Sequence, residues 1–268
     1  MILFLSRTQR YNTYIVGKDS NSGRKAMIID RVRVKQNAIA TIRQSKPSLL
    51  AAGLIFTAFS AIVGYLSLRL TGIDLNSAID IMNASAEGKA ELASSMLMQS
   101  MPSSGETVLD FLLRLALAIV STGFSLFVIN TVRRTDPVLG NLLDGFSMMP
   151  RLLFLLLLEF AIIMLWALLF VIPGIIAAYR YSFAVYVMID HPEMGAIDCL
   201  RESKRLTNGY KGQLFMLDLS FMLWLILCML PIVGYAVEIL VIPYIETARV
   251  LYYEIIRRQD EVFVPETE

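Results

Sequence analysis

Histidine occurs once in the 268 residues, as His191, and cysteine only twice, as Cys199 and Cys228. A single imidazole leaves histidine acid–base chemistry one position to work from. Cys199 falls in a charged stretch and Cys228 in an apolar block, so neither a disulfide framework nor a thiolate metal site is indicated. GxSxG, HExxH and the glycine-rich phosphate loop are all missing. Charge is scarce as well: 18% of residues are charged and the net charge is +1, which gives nucleic acid nothing to bind to. No catalytic residue, cofactor or metal is therefore expected, and the chain reads as a non-enzyme. The one enzyme class left open is an intramembrane hydrolase working through carboxylates.

What is abundant is apolar. Hydrophobic residues make up 56% of the chain and the mean hydropathy is +0.60, more than a water-soluble domain can cover with this little polar surface. The expected fold is all-α, a polytopic transmembrane helical bundle with amphipathic interfacial helices. A bilayer core takes about 20 helical residues to cross. Apolar blocks of that order predict about six spans, near residues 48–70, 108–131, 151–172, 174–190, 213–230 and 232–256. Pro173-Gly174 separates the third and fourth, with turn chemistry that favours two spans over one broken helix.

Orientation follows the basic residues of the short connections. Arg133, Arg134 and Arg151 flank one; Arg201, Lys204, Arg205 and Lys211 occupy another; Arg257 and Arg258 follow the last block. The acidic external loop, residues 71–107, holds Lys89 against five carboxylates and falls on the opposite side. The expected location is the plasma membrane, multi-pass, with both termini cytoplasmic. Residues 1–29 have a short apolar run followed by scattered basic residues, unlike a signal peptide, and are expected to be a poorly ordered cytoplasmic extension in which Met27 is a candidate start. Residues 257–268 form a cytoplasmic tail. Only tight apolar turns carry the chain past Pro173 and Pro231.

Two further helices are predicted on the inner surface. Over residues 30–46, Val34, Ala38 and Ile42 recur at helical spacing opposite Arg33, Gln36 and Asn37. Over 192–207, Pro192 suits a first helical position, Asp190 or His191 a cap, and Gly209 a stop. Asp198, Arg201, Glu202 and Arg205 share one face of the second helix, the candidate surface for docking a partner. Ala196, Cys199, Leu200 and Ser203 share the other, and such small side chains favour packing on the bundle.

Ile172-Pro173-Gly174, Tyr181-Ser182, Asp190 with Pro192, Ser203-Lys204, Gly209, Leu217 to Phe221, Trp224, and Pro243-Tyr244 with Tyr253 form a connected set. With them the chain resembles the bacterial integral-membrane family known as domain of unknown function 975, from about Met27 to Ile256. The resemblance implies a bacterial membrane setting and no settled activity, so no functional residue is carried over. The chain is also similar to the membrane portion preceding some glycerophosphodiester phosphodiesterases, whose catalytic portion it lacks.

Ionisable residues inside apolar helices are costly, about 2.5 to 3.5 kcal/mol each at the membrane centre, so they are expected to face inward. Asp110, Arg114, Glu159, Arg180, Asp218, Glu238, Glu246 and Arg249 form the candidate intramembrane polar network, with Ser121, Ser125, Tyr235 and Tyr253 on the same stripes. Asp110 and Arg114 make a local pair four residues apart, and Glu159 with Arg180 is the expected cross-helix pair. Gly53, Thr57, Ser60, Gly64 and Ser67 form a strip of small residues for close helix approach. The sequence thus reads as a membrane-embedded accessory or interaction protein. Its expected partners are membrane lipids and a cytoplasmic or membrane protein, with oligomeric state open. The alternative is a small transporter or channel using Arg114, Glu159, Arg180, Asp218, Glu238 and Arg249.

Overall fold

The computed structural model describes residues 15–18, 27–71, 75–99, 104–135, 137–228 and 233–263. Within the expected N-terminal extension, β1 (Ile15–Lys18) pairs antiparallel with β2 (Met27–Ile29); the other residues before Met27 lie outside the described set. Among the described residues, every regular element after β2 is a helix.

α1 (Arg31–Gln44) starts where Asp30 caps it, its carboxylate accepting the amides of Val32 at 2.9 Å and Arg33 at 3.3 Å. Val34 and Ala38 are fully buried, and the helix packs on α13 (Val233–Phe263). Val34 and Ala38 of the amphipathic arm are thus seated on protein, while Val32 and Ile39 are exposed. Its apolar stripe is narrow enough to be covered by one neighbouring helix.

α2 (Leu49–Thr71) packs along α5 (Ser104–Arg133), with Phe56 stacked on Phe124 at 5.1 Å between ring centres. Gly53 lets α2 approach Pro243 of α13, while Ser67 faces α5. The strip of small residues therefore serves two neighbours, and Gly64 has open space beside it. The expected external loop contains two helices, α3 (Leu75–Ala86) and α4 (Ala90–Gln99). They turn at Gly88, whose φ of 73° belongs to the left-handed region.

After α5 the chain folds back on it. α6 (Asn141–Asp144) and a 3₁₀ turn (Gly145–Met148) lie against α5 so closely that a Cβ on Gly123 would strike the Leu142 carbonyl, and one on Gly145 the Ile119 carbonyl. α7 (Met149–Leu169) follows, with Pro150 in its first turn where the missing amide is not needed. It forms a hairpin with α8 (Val171–Tyr181), but the corner is Phe170, with extended φ and ψ of −156° and 144°, rather than Pro173-Gly174. Pro173 lies in the first turn of α8, a position that tolerates proline, and Gly174 meets Ala167 across the hairpin.

Beyond a turn at Ser182 and Phe183, α9 (Ala184–Asp190) runs to α10 (Ala196–Leu206). α10 begins at Ala196 after Gly195, four residues later than Pro192 suggests, since residues 192–194 form a turn. Ala196, Cys199, Leu200, Ser203 and Leu206 are its buried face, and the chain leaves past Gly209 at a φ of 90°. α11 (Lys211–Leu219) and α12 (Met222–Cys228) meet at a 47° bend, and α13 then packs on α1, α2, α5, α10 and α12.

Among the described residues, four helical segments are long and apolar enough to cross a membrane: Leu49–Ser67, Gly105–Arg133, Asn141–Leu169 and Val171–Asp190. The bent pair α11 and α12 makes a fifth if it is one span. The sixth expected span, α13, carries Glu238, Glu246, Arg249, Glu254 and Arg257 and is less apolar.

Candidate functional site

Four polar places interrupt the apolar packing. The first joins α2 to α5. Asp110 accepts a hydrogen bond from Ser67 and one of 2.8 Å from the Arg114 Nε, while Arg114 also donates to Ser67 at 2.9 Å. The expected local pair of Asp110 and Arg114 is present, and Ser67 ties it to the neighbouring helix.

In the second, α13 supplies two ionic groups one turn apart. Ser125 of α5 and Tyr186 of α9 donate to the Glu246 carboxylate at 2.6 and 3.0 Å. The Arg249 guanidinium forms two parallel bonds to Asp218 of α11, at 3.0 and 2.8 Å, the fork geometry that suits arginine and a carboxylate. Thr247, between them, turns back to the Pro243 carbonyl at 2.6 Å.

The third is the most buried, and the eight-residue candidate network contains none of its members. Arg133 at the end of α5 holds Asp190 at the end of α9 through bonds of 2.7 and 2.8 Å, and holds Glu254 of α13 through its Nε at 2.7 Å. Glu254 is 0% exposed at its side chain and Asp190 3%. Arg257 reaches Asp190 at 3.4 Å, Arg258 reaches Glu254 at 3.3 Å, and the Tyr253 hydroxyl donates to Asp190 at 2.8 Å. Two carboxylates are thus held by three arginines, which meets the requirement that buried charge be paired and hydrogen-bonded. The signal was in the sequence: Glu254 stands three and four residues before two arginines. By position alone Arg133, Arg257 and Arg258 belong to the connections, which conceals their tie to Asp190 and Glu254.

The fourth is a groove of about 700 Å³ at α10, lined by Arg180, Met194, Asp198, Arg201, Glu202, Lys204, Arg205, Asn208 and Lys211. The docking-face residues all line it. Asp198 pairs with Arg201 at 2.5 Å and Glu202 with Arg205 at 2.6 Å. Arg180 is positioned by α10: Ser203 and Thr207 each donate to its carbonyl at 3.1 Å, and Ser203 also accepts the Phe183 amide. These hydroxyls satisfy the backbone groups released at the turn between α8 and α9. Cys199, beneath the groove, is fully buried, and that burial, with Asp198 adding to it, pushes its thiol pKa up.

The expected pair of Glu159 and Arg180 does not form. Arg180 turns to the groove, Glu159 is half-buried on α7, and among the described residues neither has an ion-pair partner. α7 and α8 are antiparallel and place the two at similar depth, but helix rotation aims them apart. Glu238 is half-buried without an ion pair among the described residues, and the Tyr235 side chain lies outside that set.

On the α1 side, the Gln213 side-chain oxygen accepts both the Ile29 amide and the Tyr252 hydroxyl at 3.0 Å. Lys35 donates to the Ser220 carbonyl at 3.2 Å and lies 4.3 Å from the Phe221 ring centre. Burial, with the nearby charge of Arg31, lowers its pKa.

Together these features define a helical bundle with apolar segments of membrane-crossing length, cross-linked internally by ion pairs. A family model described as "Protein of unknown function (DUF975)" matches residues 39–260, from the middle of α1 to the end of the ionic cluster on α13. The chain belongs to that family. No curated protein and no solved structure matches it.

Proposed function

We propose that the chain is a multi-pass protein of the bacterial plasma membrane. It has about six spans, cytoplasmic termini and a non-enzymatic accessory or interaction role exercised through α10 and the groove beside it. The observation that carries the membrane assignment is the outer surface of the α7–α8 hairpin. Leu168 is 87% exposed and Val171 72%, and Phe154, Leu157, Phe160, Leu165, Trp166 and Ile172 are exposed with them. A continuous apolar surface of this kind requires lipid or a partner to cover it.

The meeting of Arg133, Asp190 and Glu254 supports the threading, because it joins the far ends of what would be the second, fourth and sixth spans on one side. The accessory role is supported by how the ionic groups are used. Asp110, Arg114, Asp218, Glu246 and Arg249 hold helices to one another, and Arg180 lines the groove. Single cysteines placed at residue 88 and at residue 208 of the full chain, labelled from either side of sealed vesicles, test the threading. Labelling from opposite sides is expected, and labelling from the same side overturns it.

Glu159 is the observation that favours a transport path, being an acidic group on an apolar helix without an ion pair among the described residues. Solute or ion flux in reconstituted vesicles that Glu159→Gln abolishes would make transport the better reading.

A further inference from the structure

The groove beside α10 has an excess of positive charge that its own carboxylates do not meet. Five basic residues line it against two acidic ones, and both acidic residues are engaged with Arg201 and Arg205. Arg180, Lys204 and Lys211 remain without an ion pair among the described residues. All three line the same groove, and burial together with the like charge of Arg180 and Lys204 lowers the Lys211 pKa. The Arg180 Nε is buried and has no hydrogen-bond partner. A buried donor left unmatched is costly, and cations sharing one groove raise one another's energy, so the arrangement favours an anion that satisfies all three. Arg180 is also held in place, since α10 fixes its backbone through Ser203 and Thr207. A site built on a held arginine and two flexible lysines suits the tetrahedral oxygens of a phosphate.

We infer that this groove binds a phosphate group, with Arg180 as the fixed donor and Lys204 and Lys211 closing on the remaining oxygens. The inference rests on the membrane reading above and deepens it by naming a ligand chemistry. A phosphate can arrive there on an anionic lipid headgroup or as a free ion.

The test uses the full chain in nanodiscs of phosphatidylcholine with and without phosphatidylglycerol, and in detergent with inorganic phosphate. Retention of the anionic lipid and thermal stabilisation by phosphate are the two readouts. The double variant Lys204→Gln/Lys211→Gln is compared with Arg43→Gln/Lys46→Gln, which removes the same charge from the far end of α1. Near a membrane surface each basic residue is worth about a five-fold change in binding, so the groove variant, which removes two, should lose preference for the anion by roughly thirty-fold. The α1 variant should keep it.

Selective lipid retention assigns the phosphate to a headgroup; stabilisation by inorganic phosphate alone assigns it to a free ion. Equal losses in the two double variants, or no preference in the wild type, overturn the site. Protection of Cys199 from maleimide reports folding. Should the groove double variant lose that protection, Lys204→Gln, at an exposed position, is read instead. Resistance of the wild-type protein to alkaline extraction from membranes is measured alongside. A chain that is extracted refutes the membrane reading, and one that stays without anion preference refutes only the site.

Discussion

Arg133 and Asp190 stand 57 residues apart in the chain and meet face to face through two parallel bonds of 2.7 and 2.8 Å, with the Asp190 side chain 3% exposed. Removing one partner from so buried a pair strands the other, at a cost of about 3–5 kcal/mol. Asp190→Asn and Arg133→Gln should each destabilise the protein by that order, and the double variant by less than their sum. Denaturant unfolding of the four proteins in detergent measures the coupling, and additive costs would remove the pair from the list of fold determinants.

Glu159 and Arg180 should behave in the opposite way. With no ion pair between them, Glu159→Gln and Arg180→Gln are expected to be additive to within about 0.5 kcal/mol. A mutual rescue in the same unfolding experiment would reinstate the pairing that the sequence suggested.

Two glycines on neighbouring helices separate close approach from mere helix composition. A Cβ at Gly123 meets the backbone of residues 141 and 142, so Gly123→Ala should destabilise by about 1–3 kcal/mol. Gly64 has nothing within 4 Å, and Gly64→Ala should be neutral or stabilise by about 0.5–1 kcal/mol. Thermal unfolding of the two variants reads the difference, and equal shifts would deny the tight contact between α5 and α6.

Cys199 gives a pH prediction. Its thiol is buried and its pKa is raised in the folded protein, so the folded state holds the proton more tightly than the unfolded chain. The contribution is fully present below the ordinary thiol value of about 8.5 and is lost as pH rises through the folded value. Stability should therefore decline at alkaline pH, and Cys199→Ala should flatten the decline. An unchanged pH profile in the variant would show that this thiol does not set it.

The parts legible in the sequence were those governed by local spacing. The buried face of α10 at Ala196, Cys199, Leu200 and Ser203, the stop at Gly209 and the pair of Asp110 and Arg114 all follow from helical periodicity over a few residues. Six spans remain a proposal, since α13 pairs a membrane-length helix with too many charges to be assigned on apolar character. What spacing could not supply was rotation. It placed Glu159 and Arg180 at matching depth without showing that their helices turn them apart, and it gave no sign that Asp190 and Glu254 share one arginine. The corner at Phe170 was displaced from Pro173 because a first helical turn accepts proline, so turn chemistry alone did not mark the break. α3 and α4, 12 and 10 residues long, lie in a stretch whose acidic charge marks it only as a connection between spans.

The concentration of partners on α13 bears on how the molecule is made. Glu246, Arg249, Tyr253 and Glu254 all come from this one helix, and their counterparts Ser125, Arg133, Tyr186, Asp190 and Asp218 emerge from the ribosome earlier. Until α13 is made, those earlier groups wait without their final neighbours. Nascent chains cut short before residue 246 should consequently be substrates for membrane quality control, however well their individual helices insert.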